Sequence, residues 1–389
     1  MTTAPAQDAW PDTWPDSGIG PLVDHHCHGV VRHGLDEDGF ASYLTESDLP
    51  PATGTTFFDS QLGFAVRRWC PPLLGLPAHC PPADYLARRR ELGVRKAAEL
   101  LLRATGIGDF LVDTGLPGDL TTPDELASAA GTRAHEVVRL ETLAERAADT
   151  SDGHRSFLDS LATAVQEAAR TGVGFKSVVA YRYGLDLPPD PPPPGEVRAA
   201  ADRWLAARAP GGRVRDPVLL RHLLWSAVAT GLPLQLHTGF GDPDLRLDRC
   251  DPLLLTDFVR AVRPTGCPLV LLHTYPYHRG AAYLANVYPH VFTDVGLALA
   301  HTGVRARTVL AETLELAPFG KVLFSTDAYG LPELYLVGAR LFTHALGGLL
   351  TEWVDEGAWS PGDAARAARL IASGNARRLY GLDSPGPGA

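Results

Sequence analysis

The sequence predicts an α/β protein built as a (β/α)8 TIM barrel, on three observations. Eight short apolar runs of strand length recur along the 389 residues. Amphipathic helical stretches separate most of them. The runs are continuously apolar rather than alternating, which marks parallel strands covered on both faces. Eight such units close a barrel, and one barrel domain accommodates this length.

The runs follow in order. PLVDHHCH (21–28) ends in three histidines within four residues, and DFLVDTG (109–115) is the second strand. HEVVRLE (135–141) and GFKSVVAYR (174–182) are the third and fourth. PLQLHTG (233–239), PLVLLHT (268–274), VFTDVG (291–296) and KVLFSTD (321–327) complete the set. SFLDSLATAVQEAAR (156–170) and VRAAADRWLAARA (197–209) carry helical periodicity. Residues 31–108 are too many for a simple crossover and include the helical pattern of 84–104. They predict a helical insertion after the first strand, with the aromatic and basic stretch 57–70 in its core. The proline run 187–195 predicts an extended, exposed loop. The chain thus divides into an N-terminal extension (1–20), the barrel with its insertion (21–383) and a disordered tail (384–389).

Composition narrows the function. Hydrophobic residues are 45% and charged residues 21% of the chain, as in a globular protein. A net charge of -10 lacks the basic footprint that nucleic acid requires. Cys27, Cys70, Cys80, Cys250 and Cys267 form no CxxC pair and read as reduced thiols. No run approaches the roughly 18 apolar residues of a membrane span. Residues 1–20 contain Trp10 and Trp14 in an acidic context, without a signal-peptide core. The expectation is a cytoplasmic protein acting on a small molecule, without nucleic acid or membrane partners. Barrels of this kind often dimerise, and the insertion offers a surface for a homodimer.

Barrel enzymes carry their chemistry at the C-terminal ends of strands. There stand His26 and His28 (first run), Asp113 (second), Glu141 (third), Lys176 (fourth), His237 (fifth), His273 (sixth), Asp294 (seventh) and Asp327 (eighth). Residues two apart share a strand face, so His26 and His28 point one way, and His25 and Cys27 the other. Each residue alone has an ordinary explanation: a structural histidine, a lysine paired to an acid, an aspartate capping a helix. Together they form a set that suits zinc, iron or manganese. Lys176 is one of only three lysines, with Lys96 and Lys321.

The ordered set His26-Cys27-His28, Lys176, His237, His273, Asp327 resembles the amidohydrolase superfamily. LQLHTGFGDPDL, LLHTYPYHRGAAYLANVYPHVFTDVG, VLFSTDAYGLPELY and ASGNARRLYGL resemble its amidohydrolase-2 branch. Within that branch they resemble the domain fused to a glutamine-synthetase-like domain in some proteins. The resemblance spans about 20–382, and no glutamine-synthetase-like portion follows it. It implies that His26, His28, Lys176, His237, His273 and Asp327 hold one or two divalent ions, zinc first, manganese or iron otherwise. Three arrangements stay open. A carboxylated Lys176 bridges two ions, one on His26, His28 and Asp327 and the other on His237 and His273. Alternatively His26, His28, His237 and Asp327 hold a single ion and His273 acts on substrate or water. In the third, Glu141 is the bridge.

The resemblance implies hydrolysis. A bound cation lowers the pKa of its water from 15.7 to about 7. Asp327 takes the water's proton and delivers it to the leaving group, and His273 or the metal stabilises the oxyanion. Arg182 and Arg279 are candidates for a substrate carboxylate, against the alternative of structural ion pairs. Tyr275 stands close to Arg279, and Asp242 and Glu333, the latter in YGLPE, could take an ammonium or order their loops. Tyr329 could line the pocket, and Glu141 completes the substrate-side set. The expected reaction is cleavage of a C–N bond, γ-glutamyl-type amides included, in a small carboxylate-bearing substrate. Its rivals are a metal-dependent decarboxylase and a non-catalytic binding domain in nitrogen metabolism.

Overall fold

The computed structural model describes residues 21–383; the extension 1–20 and the tail 384–389 lie outside the described residues. Seven strands form one parallel sheet in chain order. They are β1 (Leu22–Cys27), β2 (Ile107–Asp113), β3 (Arg133–Arg139), β4 (Gly174–Ser177), β5 (Leu234–Thr238), β6 (Leu269–His273) and β7 (Val291–Thr293). The eighth run is not a regular strand, but its backbone ties the two sheet edges together. Leu323 N donates to Thr293 O (3.0 Å), His25 N to Phe324 O (3.1 Å), and Asp327 N to His26 O (3.0 Å). The sheet is curled and helix-covered, as in a TIM-barrel-like α/β fold.

Both sheet faces are buried, which explains the continuous apolar runs. Val23, Leu111, Val137, Val270, Leu272 and Leu323 form one cluster with Tyr380 and Leu382. Their neighbours in sequence, such as Leu22, Phe110, Val112, Leu269 and Leu271, belong to the larger core that includes the helices. Alternation along each strand divides the residues between the two cores.

Four strands end two or more residues before the sequence reading, β2 among them at Asp113 instead of Gly115, and side chains explain one of the four. β4 stops at Ser177 because the Val178 amide turns to the Glu141 carboxylate (3.0 Å) instead of the ladder. The following residues Val179–Arg182 form a helical turn. β3 lies two residues earlier than expected, so Glu141 falls in the first turn of helix Leu140–Asp149. β7 is short, and helix Gly296–Thr302 begins within the expected strand.

Between β1 and β2 lie helices Glu37–Ala41, Gln61–Leu73, Pro82–Leu92 and Val94–Arg103. The single helical pattern 84–104 breaks at Gly93, whose φ of 79° suits glycine. The proline run turns helical at its end, where Pro194 opens helix Pro194–Ala207 with its ring preset for the first turn. Helix Pro332–Asp355 is long and apolar enough to cross a membrane by length and composition, contrary to the sequence reading. It is mostly buried within the protein, so its apolar character is that of a core helix.

Candidate metal centre

The parallel register brings the strand ends to one edge, where the predicted ligands meet. His26 and His28 have ring centroids 5.1 Å apart, His26 and His273 5.5 Å, and His237 and His273 4.6 Å. Asp327 Oδ1 lies 3.1 Å from His26 Nε2 and 3.4 Å from His28 Nε2. Its Oδ2 lies 3.6 Å from His273 Nε2. Lys176 Nζ lies 3.1 Å from His26 Nε2. Donor atoms of His26, His273 and Asp327 fall within 4.8 Å of one another, and so do those of His26, His28 and Asp113.

The surroundings fix which nitrogens face the cluster. Gln235 Oε1 is 2.8 Å from His26 Nδ1, while the Gln235 amide donates to His25 O and the Tyr380 hydroxyl. With both Nε2 donors spent there, Oε1 is the acceptor, so His26 carries its proton on Nδ1 and offers the Nε2 lone pair. His28 Nδ1 faces the Asp113 carbonyl (3.0 Å), which gives the same tautomer. His237 Nε2 and both ring nitrogens of His273 are buried without a hydrogen-bond partner. Buried polar atoms are rarely left so. Lone-pair donors converging beside a carboxylate fit a divalent cation.

Charge states agree. Burial, then the Lys176 charge, pushes His26 down to about 3. Burial likewise lowers His237 and His273. These imidazoles are neutral, as ligands must be. Burial alone would raise Asp327, and its attraction to the Lys176 charge opposes that and favours the carboxylate. Burial lowers Lys176 to about 8, against the opposing pull of Asp113 and Asp327.

Two ligand positions sit in left-handed backbone. His273 has φ 67° and Asp327 φ 51°, a conformation that costs energy for residues other than glycine. Neighbouring groups secure both. Asp294 Oδ1 accepts the His273 amide (2.7 Å) while its Oδ2 is 2.6 Å from His25 Nε2. Asp24 accepts both the amide and the hydroxyl of Thr326, next to Asp327.

Of the expected substrate-side residues, Arg182, Arg279, Glu141 and Tyr275 are held by other partners. Arg182 pairs with Glu145 (3.4 Å). Arg279 is largely exposed and pairs with Glu312 and Glu315. Glu141 Oε1 accepts from Ser177 Oγ (2.6 Å) and the Val178 amide, and burial raises its pKa. Tyr275 stacks on His278. Tyr329 stands edge-on to His28, 6.5 Å between centroids, and Asp242 lies exposed on the loop after β5. Sequence reasoning missed Gln235, Arg139 and Tyr181. Arg139 binds Asp113 Oδ2 through Nε and Nη2, and Tyr181 packs on His237, 4.5 Å between centroids. A polar Gln235 inside the apolar run PLQLHTG was the one available signal.

A curled parallel sheet with four histidines and an aspartate gathered at its C-terminal edge is the frame of a metal-binding α/β protein. Residues 155–382 match the Amidohydro_2 amidohydrolase family, and the chain belongs to that family. It is 30% identical over 412 aligned residues to protein fluG of Emericella nidulans, covering 95% of this chain and 46% of the relative. The chain therefore spans about half the length of that curated relative. Among solved structures, it is similar to a candidate metal-dependent hydrolase from Lactobacillus casei. The TM-score is 0.83 at 28% identity, covering 94% of this chain and 96% of the other. The glucuronate isomerase of Caulobacter crescentus shares the fold at TM-score 0.64 and 14% identity, covering 94% and 92% of the two chains.

Proposed function

We propose that the protein is a metal-dependent hydrolase that cleaves an amide C–N bond in a small substrate. The observation that carries this reading is the set of unpartnered, buried nitrogens of His237 and His273 facing the Asp327 carboxylate. His26, His273 and Asp327 bring ligand atoms within 4.8 Å of one another; we take His28 and His237 as further ligands, with Lys176 available for a second ion. A divalent ion bound there would supply an activated water at neutral pH and polarise the substrate carbonyl. Asp327, ionised and beside the cluster, accepts a proton from the attacking water and returns it to the leaving nitrogen. His273 is placed to stabilise the oxyanion if it is not a ligand. Zinc suits the imidazole-rich set, and manganese and iron are the alternatives. A place in nitrogen metabolism rests on the resemblance to domains fused with glutamine-synthetase-like partners.

The test has two parts. Metal content per chain is measured on protein purified without chelator or immobilised nickel, and amine release is assayed on a panel of simple amides. One or two ions per chain, with amine release that Asp327→Asn lowers by about 10² or more, is the expected result. Asparagine tolerates the left-handed backbone at this position, so the variant retains its fold. Release of carbon dioxide without amine would replace the reading with a lyase. Absence of metal after reconstitution with zinc or manganese would overturn it.

A further inference from the structure

The rim above the candidate centre is acidic and aromatic. On one side His28 meets Tyr329, and Tyr329 packs on Tyr43 with centroids 4.9 Å apart. On the other, a side chain at Gly241 would press on the Tyr181 hydroxyl and come within 3.1 Å of His237 Nε2. Asp242 therefore stands next to the centre. Phe240, on the same loop, packs on His301 at 5.2 Å, and His301 Nε2 lies 3.4 Å from Glu46 Oε1. Glu46 is thus linked, through His301 and Phe240, to the loop that carries Asp242.

The two carboxylates are close enough for the Glu46 charge to act on Asp242. Asp242 is exposed as a residue, but partial covering of its carboxyl raises its pKa, as do the charges of Asp244 and Glu46, against the Asp244 amide and Arg213. The basic groups near these carboxylates are His301, beside Glu46, and Arg213, whose charge reaches Asp242. Arg213 binds Asp244 at 2.7 Å, and Arg182 and Arg279 hold their own glutamates. Two carboxylates near tyrosine rings suit an organic cation rather than an anion.

We propose that the substrate is an amide bearing a protonated amine, which Glu46 and Asp242 hold at the rim while the amide lies over Asp327 and His273. The proposal rests on the hydrolase reading and reverses the expectation of a substrate carboxylate. It assigns Glu46 and Asp242 to substrate specificity.

The experiment compares three acetamides with the metal-loaded protein: N-acetyl-1,3-diaminopropane, its uncharged isostere N-acetylbutylamine, and N-acetyl-4-aminobutyrate. Calorimetric binding of 1,3-diaminopropane is measured alongside. A kcat/KM at least about tenfold higher for the ammonium compound is expected, since a lost charged hydrogen bond costs about that much. Glu46→Gln with Asp242→Asn should bring the preference to within about twofold, through KM more than kcat. Both replacements are isosteric, and the carboxamide that Asp242→Asn introduces keeps an oxygen for the Asp244 amide, which Asp242 Oδ1 accepts at 2.9 Å. If no amide is cleaved but the diamine binds and the double variant loses it, the rim proposal stands and the hydrolase reading fails. Equal or better turnover of the uncharged or carboxylate compound overturns the proposal. So does absence of both cleavage and diamine binding.

Discussion

Gln235 shows how one side chain can determine what its neighbour offers. Its Oε1 accepts from His26 Nδ1 at 2.8 Å and its amide donates to His25 O and Tyr380. All three contacts are buried, so the glutamine cannot rotate without leaving a polar group unpaired. Gln235→Met keeps the volume but frees the His26 ring to flip or change tautomer. Metal affinity should fall about 10- to 100-fold, as it does when a group orienting a metal ligand is lost. Competition with a chelator measures it directly. Affinity within twofold of wild type would mean that Lys176 and Asp327 alone orient His26. The strand-end histidines were legible because their chemistry shows in residue type and spacing. Gln235 was not, because its role depends on contacts 209 and 210 residues away in sequence. Arg182 and Arg279 erred the other way. An arginine's partner is decided by packing, and nothing in their own segments disclosed Glu145, Glu312 or Glu315.

Elements communicate through a few buried polar joints, and the joint at Glu333 is among the most enclosed. Glu333 lies in the first turn of helix Pro332–Asp355, shortly after the Asp327 segment, and it is fully buried. Its Oε1 accepts from Arg89 Nε (2.7 Å) and the Tyr85 hydroxyl (2.8 Å) of helix Pro82–Leu92. The Arg89 guanidinium also lies over the Phe40 ring at 5.4 Å. This fastens the helices between β1 and β2 to the helix that follows the eighth run. Removing one partner of a buried ion pair strands the other charge. Arg89→Leu should therefore destabilise the protein by about 3–5 kcal/mol in urea denaturation. Glu333→Gln in the Arg89→Leu background should recover part of the loss, a non-additivity that marks coupled residues. Simple additivity of the two changes would show that the pair is not coupled. The sequence placed Glu333 on a loop with a choice between substrate and structure, because "YGLPE" does not reveal the helix that packs over it. Element boundaries were misread for a similar reason. β4 ends where a carboxylate from a neighbouring element claims its amide, and no local pattern at Val178 announces that.

At the scale of the whole molecule, the two ends of the strands do different work. The C-terminal edge gathers the candidate metal centre, while the opposite end is tied by Asp109 near the start of β2. Asp109 lies 2.8 Å from Arg133 Nε and 3.1 Å from His135 Nε2 on β3, and 2.6 Å from Arg377 Nη2 near the C-terminal end of the described residues. The α/β order was legible because both sheet faces are buried, which writes itself as continuous apolar runs. How the curled sheet's edges are held was not, because the eighth run joins β7 and β1 through backbone hydrogen bonds that any sequence could make. Asp109 gives that architecture a pH dependence. Burial alone would raise its pKa, but His135, Arg133 and Arg377 outweigh it, and the folded value lies below the ordinary one. A depressed carboxyl stabilises the fold above its unfolded pKa of about 3.9, and that stabilisation is lost as pH falls through the folded value. Asp109→Asn should therefore cost about 2 kcal/mol at pH 7, the scale of a charged hydrogen bond. The gap to wild type should narrow below about pH 4 as the wild-type carboxyl protonates. Urea midpoints for both proteins at pH 7, 5 and 3, with chelator present to exclude metal linkage, measure the gap. A deficit unchanged between pH 7 and pH 3 would mean that Asp109 acts through shape and neutral hydrogen bonds. The charge would then contribute nothing to holding the base of the sheet together.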